Sequence, residues 1–370
     1  MDIILSGLAF LALLTVLVLF HEFGHFIAAR KAGVTVEEFG FGLPPRAKAL
    51  FVSGGTVFSL NWIPFGGFVR LQGENATTEA ERSRRGSFNS VSVPARVAIL
   101  TAGVAMNFLC ALVIFSFGFS VGRWIPTYLS FKEMQAAAQR GEIHLKAVVL
   151  IDDIVSGGGA AQVGVPKDSI LLRLDDQSVP SPEHVATMQE GKKRVTYTLL
   201  TGENFSEEKT FTIPLKDGRA GVVLRPFPQE LSSPRRSLAS ALLLSLREAR
   251  VVTVQTVAGM ARLFFSLART GTVPEGITGI VGIAQLTHAS IQEGFATYLR
   301  LIALLSLSLA VLNILPLPAL DGGRLLFVLV EAVRQRPANR RFELAANAIG
   351  FAFLIFLILL ITYHDILRLF

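Results

Sequence analysis

Residues Ile3 to Phe20 form an uncharged apolar run of 18 residues, followed at once by His21-Glu22-Phe23-Gly24-His25. As a helix such a run rises about 27 Å, nearly the hydrocarbon thickness of a bilayer. Ionisable groups at its end are costly in hydrocarbon, so they mark a candidate functional site. On a helix, His21 and His25 lie one turn apart, about 40° round the axis. Both imidazoles can then reach one zinc ion while Glu22 projects beside them towards its bound water. The only cysteine, Cys110, allows no intrachain disulfide, so a metal here must rely on nitrogen and oxygen ligands. No basic segment precedes the run, only Asp2, which argues against a cleaved signal peptide.

The rest of the chain has the same character. Of 370 residues, 51% are hydrophobic and 17% charged, and the mean hydropathy is +0.52. These values place the chain among integral membrane proteins. The net charge of +7 is dispersed and accompanies no nucleic-acid motif, so it points to anionic lipid and membrane topology, not to nucleic acid.

Taken in order, the expected organisation is a first transmembrane helix (1–32), a cytoplasmic loop with a β-hairpin (33–94), a second span (95–124), a soluble β-rich domain (127–228), an amphipathic helical segment (235–296), a third span (297–324) and a fourth (342–366). The apolar runs within the later spans are Val97 to Val121, Leu299 to Leu315 and Ala345 to Thr362. The loop from Ala29 to Pro94 carries nine basic residues, counting Arg96 just past its end, against five acidic ones. A second basic cluster, Arg324, Arg334, Arg336, Arg340 and Arg341, follows the third span. The positive-inside rule puts both loops in the cytoplasm, and hence the N-terminus, the soluble domain and the C-terminus outside. The His-Glu cluster then lies towards the cytoplasmic leaflet.

Within the first loop, Thr56 to Trp62 alternates as a strand does, bracketed by Gly40-Phe41-Gly42, Gly54-Gly55 and Pro64-Phe65-Gly66-Gly67-Phe68. Phe39 to Leu71 is expected as β-hairpins with Gly54-Gly55 as one turn. It either dips into the bilayer, if its strands are paired or covered, or remains an ordinary cytoplasmic hairpin. Asn107, the main polar residue of the second span, is expected to hydrogen-bond a neighbouring helix. Ser237 to Ala268 is interrupted by Arg247, Glu248, Arg250 and Arg262, which favours a surface-lying or bundle-packed amphipathic helix over a span. The third span ends in Asn313-Ile-Leu-Pro316-Leu-Pro318-Ala-Leu-Asp321-Gly322-Gly323, where two prolines preclude a regular helix. Asp321 falls at the depth of the histidines and is the local candidate for a third ligand; the alternative is an N-cap for the helix that begins near Gly322.

In the soluble segment, β-like runs at 147–151, 170–174, 195–200, 210–215 and 221–224 surround a helical stretch, Pro182 to Gln189. Ser156-Gly157-Gly158-Gly159-Ala160-Ala161-Gln162-Val163-Gly164-Val165, followed by Asp168-Ser169-Ile170-Leu171, resembles a PDZ domain of the bacterial protease-associated type. Lys167-Asp168 and Asp175-Asp176 depart from the usual Gly-Asp and Asp-Gly pairs. Such a module binds peptides by strand addition, or it serves as a steric shield that binds nothing.

Taken together, His21 to His25, the Asn313 to Gly323 motif, the Gly-rich hairpin, the PDZ-like insert and Thr278-Gly279-Ile280-Val281-Gly282-Ile283-Ala284-Gln285 resemble the site-2 protease family, nearest the bacterial regulator of sigma-E protease. The resemblance runs through nearly the whole chain, with one PDZ-like domain where the well-studied relatives carry two, and with Val104 and Ile280 in place of family prolines. It implies an α-helical polytopic membrane protein of about four spans, with a membrane-re-entrant β-hairpin, in a bacterial inner membrane. It implies a zinc metalloendopeptidase with His21, His25 and Asp321 as metal ligands, Glu22 as general base and Asn313 contacting substrate. It also implies a substrate segment pairing with the hairpin, for which Gly40, Phe41, Gly42, Gly66 and Gly67 are the candidates. The expected partners are the lipid bilayer and membrane proteins with single transmembrane segments, such as an anti-sigma factor already trimmed on its outer side. A remnant signal peptide is another possible substrate. The rival from another class is a non-enzymatic membrane scaffold or metal-handling protein.

Overall fold

In the computed structural model, which describes residues 2–74, 76, 78–336 and 340–368, the chain divides into two units. One comprises the residues up to Gly122 and from Ser237 onward, the other Arg123–Arg236. The soluble segment is therefore a few residues longer at each end than the expected 127–228.

The first unit is built on seven helices of 14 residues or more and a hairpin. The helices are α1 (Asp2–Lys31), α2 (Val93–Ser120), α3 (Leu238–Thr270), α4 (Ile280–Glu293), α5 (Phe295–Ile314), α6 (Asp321–Arg334) and α7 (Arg340–Leu367). α1 carries the apolar run and the His-Glu cluster without interruption, because nothing between Ile3 and Lys31 breaks a helix. Five of these helices, α1, α2, α3, α5 and α7, are long and apolar enough to cross a membrane. α3 differs from expectation in that respect. It is one 33-residue helix that packs against its neighbours through Ala241, Ser245, Ala249, Val252, Gly259 and Leu263, which fall on one stripe. Its Glu248 is buried and lies 3.7 Å from Arg300 of α5, so a charge that argued against a span has a partner there.

Side-chain registers fix the helix directions. Tyr298 donates to the Ala9 carbonyl (2.8 Å) and Asn313 Nδ2 lies 3.5 Å from His21 Nε2, so α5 runs parallel to α1. α2 runs the other way, with the Asn107 carbonyl accepting from Ser306 (2.9 Å). The α1–α2 contact is close: a Cβ on Gly24 would stand 2.3 Å from the Ala102 carbonyl oxygen.

Strands β1 (Val36–Ser53) and β2 (Thr56–Leu71) join at Gly54-Gly55, the expected turn. Both are bent, so residues 38–41 are paired on two sides, with 70 down to 67 on one and 57 up to 60 on the other. Buried Glu38 ties the ribbon together by accepting from Arg46 at 2.7 and 2.6 Å. Away from the helices the ribbon exposes Leu50, Phe51, Val52, Leu60, Trp62, Ile63 and Phe65. An exposed apolar patch of this kind suits contact with lipid.

The second unit is a sheet of β3 (His144–Ile154), β4 (Ser169–Leu174), β5 (Arg194–Thr201), β6 (Glu207–Pro214) and β7 (Val222–Ser232), in the order β6-β5-β4-β3-β7 with all main pairings antiparallel. The helix Pro182–Gln189 appears with the expected bounds, and Phe131–Gln139 adds a helix that sequence periodicity did not show. Its core gathers Val149, Ile151, Leu171, Leu174, Tyr197, Leu199 and Ile213, at alternate positions on β3 and β5 and across a register irregularity between Leu171 and Leu174 on β4. Asp175 and Asp176, where a glycine was missed, both take positive φ (47° and 64°). Asp175 secures that turn by accepting from the Thr196 N–H and from Lys192, each at 2.7 Å.

Candidate active site

His21 and His25 lie on the face of α1 that meets α2, and both are buried. Asp321 arrives from the opposite end of the chain because the helix that carries Asn313 stops at Ile314. Pro316 and Pro318 keep the following residues out of a helix, Ala319 takes φ 72°, and a new helix starts at Asp321. Two glycines permit that tight return: a Cβ on Gly322 would stand 2.1 Å from the Leu315 carbonyl oxygen, and one on Gly323 2.3 Å from that of Leu317. The helix N-cap is Leu320, so the Asp321 carboxylate is free to turn towards the histidines.

Three ligand atoms converge there. His21 Nε2 lies 2.9 Å from Asp321 Oδ2, His25 Nε2 lies 3.1 Å from the same oxygen, and the two Nε2 atoms are 3.2 Å apart. Bonds of 2.0–2.1 Å to a tetrahedral zinc put neighbouring ligand atoms about 3.3 Å apart. The triangle matches that spacing, and two imidazoles with one carboxylate are a suitable donor set. Among the described residues this is the one group of three such side chains placed to share a metal ion. His25 is oriented from behind by donating Nδ1–H to the Ile99 carbonyl (2.8 Å), the usual support for a ligating histidine.

Glu22, His25 and Asp321 line a cavity of about 160 Å³ together with Phe68, Val69, Leu71, Glu74, Ile99, Leu100 and Arg324. Glu22 Oε2 accepts the main-chain N–H of Val69 at 3.0 Å, so the outer edge of β2 faces the site. Asn313 reaches the site through its amide, 3.5 Å from His21 Nε2.

The hairpin candidates divide. Gly66 and Gly67 do not line the cavity themselves but directly precede Phe68 and Val69, which do, and Gly67 packs against α1, where a Cβ would stand 2.9 Å from Leu19 Cδ2. Gly40 and Phe41 are flanked on both sides, by 68 and 59 and by 67 and 60, and offer no free edge. Gly40 instead makes room for Phe68, whose ring would stand 2.3 Å from a Cβ there. Gly42 (φ 81°) lies where the ribbon bends and packs on the Ile63 carbonyl.

Sequence reasoning missed Gly103, Glu74 and Arg324. A Cβ on Gly103 would stand 2.4 Å from His25 Nε2 and 2.8 Å from His21 Cε1, so the histidines occupy the space that this glycine leaves. Arg324, counted beforehand as a loop charge, is paired with Glu74 at the cavity wall. Arg96 is likewise buried and bonded to Glu331 at 3.0 and 3.2 Å. Their pairing depends on contacts across more than 200 residues, which no local pattern shows.

Comparison with known proteins agrees with this geometry. Residues 9–357 match the model of peptidase family M50. The chain is 27% identical over 420 residues to the zinc metalloprotease RasP of Bacillus licheniformis, covering 98% of this chain and 99% of that protein. It is 26% identical over 419 residues to RasP of Oceanobacillus iheyensis, with the same coverage. It is 29% identical over 378 residues to the CPE1693 protein of Clostridium perfringens, covering 99% of each. With a family match through nearly its whole length, the chain belongs to peptidase family M50, the site-2 protease family.

Proposed function

We propose that this protein is a zinc-dependent intramembrane endopeptidase of a bacterial membrane, cleaving a peptide bond within a transmembrane segment of its substrate. The observation that carries this reading is the convergence of His21, His25 and Asp321 beside Glu22, at a cavity lined by Glu22, His25 and Asp321, with the histidines and Glu22 on a helix long and apolar enough to cross a membrane. His21 Nε2, His25 Nε2 and Asp321 Oδ2 would hold the metal. Zinc, when bound there, supplies a Lewis acid for the scissile carbonyl and makes water ionisable near neutral pH.

The chain's own groups do the rest. Glu22 takes a proton from the attacking water and returns it to the leaving amine. A helical substrate hides its carbonyls in its own hydrogen bonds, so the scissile stretch must be extended first. The outer edge of β2 is the candidate for that: its Val69 N–H, which Glu22 accepts here, lies at the site, so an extended segment that takes over this N–H can pair along the edge. Asn313 donates its amide to the carbonyl oxygen as charge develops on it. The Glu22→Gln variant, loaded with zinc, is expected to lose cleavage of a transmembrane reporter. Normal cleavage by it would overturn the general-base assignment.

The 123–236 unit acts as a PDZ-like module outside the membrane. A groove of about 700 Å³ is lined by Pro182, Val185 and Gln189 of its helix and by Gly221, Val222 and Leu224 at the edge strand β7. An edge strand beside a helix suits strand addition by a peptide. The substrates would be single-span membrane proteins, an anti-sigma factor after outer-side trimming or a remnant signal peptide among them.

A further inference from the structure

We infer that Asn107 is a positioning residue of the metal centre, whose side-chain amide receives the Nδ1 proton of His21, directly or through one water, and so holds Nε2 towards the metal. The inference rests on the proposal that His21, His25 and Asp321 bind zinc.

The two histidines are unequally supported. His25 uses both ring nitrogens, Nδ1 on the Ile99 carbonyl and Nε2 on the ligand triangle. His21 uses Nε2 alone, and its buried Nδ1 has no partner among the described residues. A ligating histidine ordinarily donates its second N–H, which fixes the tautomer and the ring orientation. The side of the ring that carries Nδ1 rests on Gly103, where a Cβ would stand 2.9 Å from that nitrogen.

Asn107 is one turn further along α2, on the same face as Gly103. Side chains on a helix lean towards its N-terminus, so the Asn107 amide leans back towards the turn at Gly103, where the His21 ring rests. It is fully buried, and neither its Oδ1 nor its Nδ2 has a partner among the described residues. The Ser306 hydroxyl on its main-chain carbonyl (2.9 Å) holds that turn against α5. Buried polar side chains are rarely left unpaired. Two unpaired groups of complementary capacity are thus found one helical turn apart: a ring N–H resting on Gly103 and an amide oxygen at Asn107. The expectation that Asn107 bonds a neighbouring helix is thereby made specific: the partner is a metal ligand on α1.

The test is zinc affinity of the detergent-solubilised full-length protein, measured by competition with a chelator. Asn107→Ala and Asn107→Leu are expected to weaken zinc binding by roughly ten- to a hundredfold, the usual effect of losing such a support. Asn107→Asp, which keeps an acceptor oxygen, is expected to stay within a few-fold of the parent. The thermal midpoint of the metal-free Leu variant should match that of the metal-free parent, because the support acts on the loaded site. Parental zinc affinity in Asn107→Leu would overturn the inference, as would equal weakening in the Ala and Asp variants. If the Leu variant does not fold, the Ala and Asp pair decides. A parent that binds no zinc would instead overturn the metal-centre proposal on which this inference rests.

Discussion

Gly24 and Gly103 show how much of the site depends on side chains that are not there. A Cβ on Gly24 would press on main-chain atoms of Ala102, which cannot swing aside, so Gly24→Ala should force α1 from α2. Overpacking of that kind costs about 1–3 kcal/mol, and the thermal midpoint should fall. A Cβ on Gly103 would press on both imidazoles, so Gly103→Ala should lose zinc by elemental analysis even where the fold persists. Asp321→Ala should lose it as well, since two nitrogens remain where a zinc site needs three protein ligands. Full zinc content in Asp321→Ala would remove that residue from the ligand set. His21, Glu22, His25 and Asp321 were legible in the sequence because ionisable groups within or beside apolar runs demand a reason. Gly103 was not, because a glycine in an apolar helix carries no chemistry to read and matters only for what lies opposite it.

The elements behave as their patterns foretell where the pattern is local, and less so where it is not. The Gly54-Gly55 turn, the helix at Pro182–Gln189 and the break between α5 and α6 all follow from turn residues and prolines. The bend that pairs residues 38–41 on both sides was not legible, since alternation shows a strand but not how many neighbours it has. That bend leaves the outer edge of β2 as the edge that reaches the site. Val69→Pro removes the N–H that Glu22 accepts, and cleavage should fall by roughly ten- to a hundredfold with zinc content retained. Unchanged cleavage would take the edge out of the mechanism. In the second unit, burial raises the pKa of Asp175, but Lys192 and the Thr196 N–H outweigh it and hold the carboxyl below the usual range. Its contribution to stability is therefore present above the unfolded-state value, about 3.9, and is lost as pH falls through the lower folded value. Asp175→Asn should flatten the acid limb of unfolding, followed by a probe within this unit.

At the scale of the helical unit, the question is where α3 lies. Composition favoured a helix on the surface or packed in the bundle, since four charged residues interrupt it. The structure packs it in the bundle, with Glu248 beside Arg300 and Thr256 beside Ser308 (3.4 Å), so α3 descends in step with α5. Asn313 of α5 is level with His21, and by that register Thr270 falls about 14 Å beyond His21, near the depth of Lys31. The chain must then climb back before Phe295, where α5 begins. Residues 271–279 are non-helical and α4 follows, with the N–H groups of Gly279 and Gly282 both bonded to Asp365 near the far end of α7 at 2.9 Å. A descent by α3 and a return over 271–294 leave the two ends of the chain on the side that four spans would give. Cysteine labelling tests this in a Cys110→Ala background. Thr270→Cys should be modified from the same face of the membrane as Lys31→Cys, and from the face opposite Val121→Cys and Phe295→Cys. Labelling of Thr270→Cys together with Val121→Cys would instead lay α3 along the outer surface, and the register with α5 would have to be abandoned.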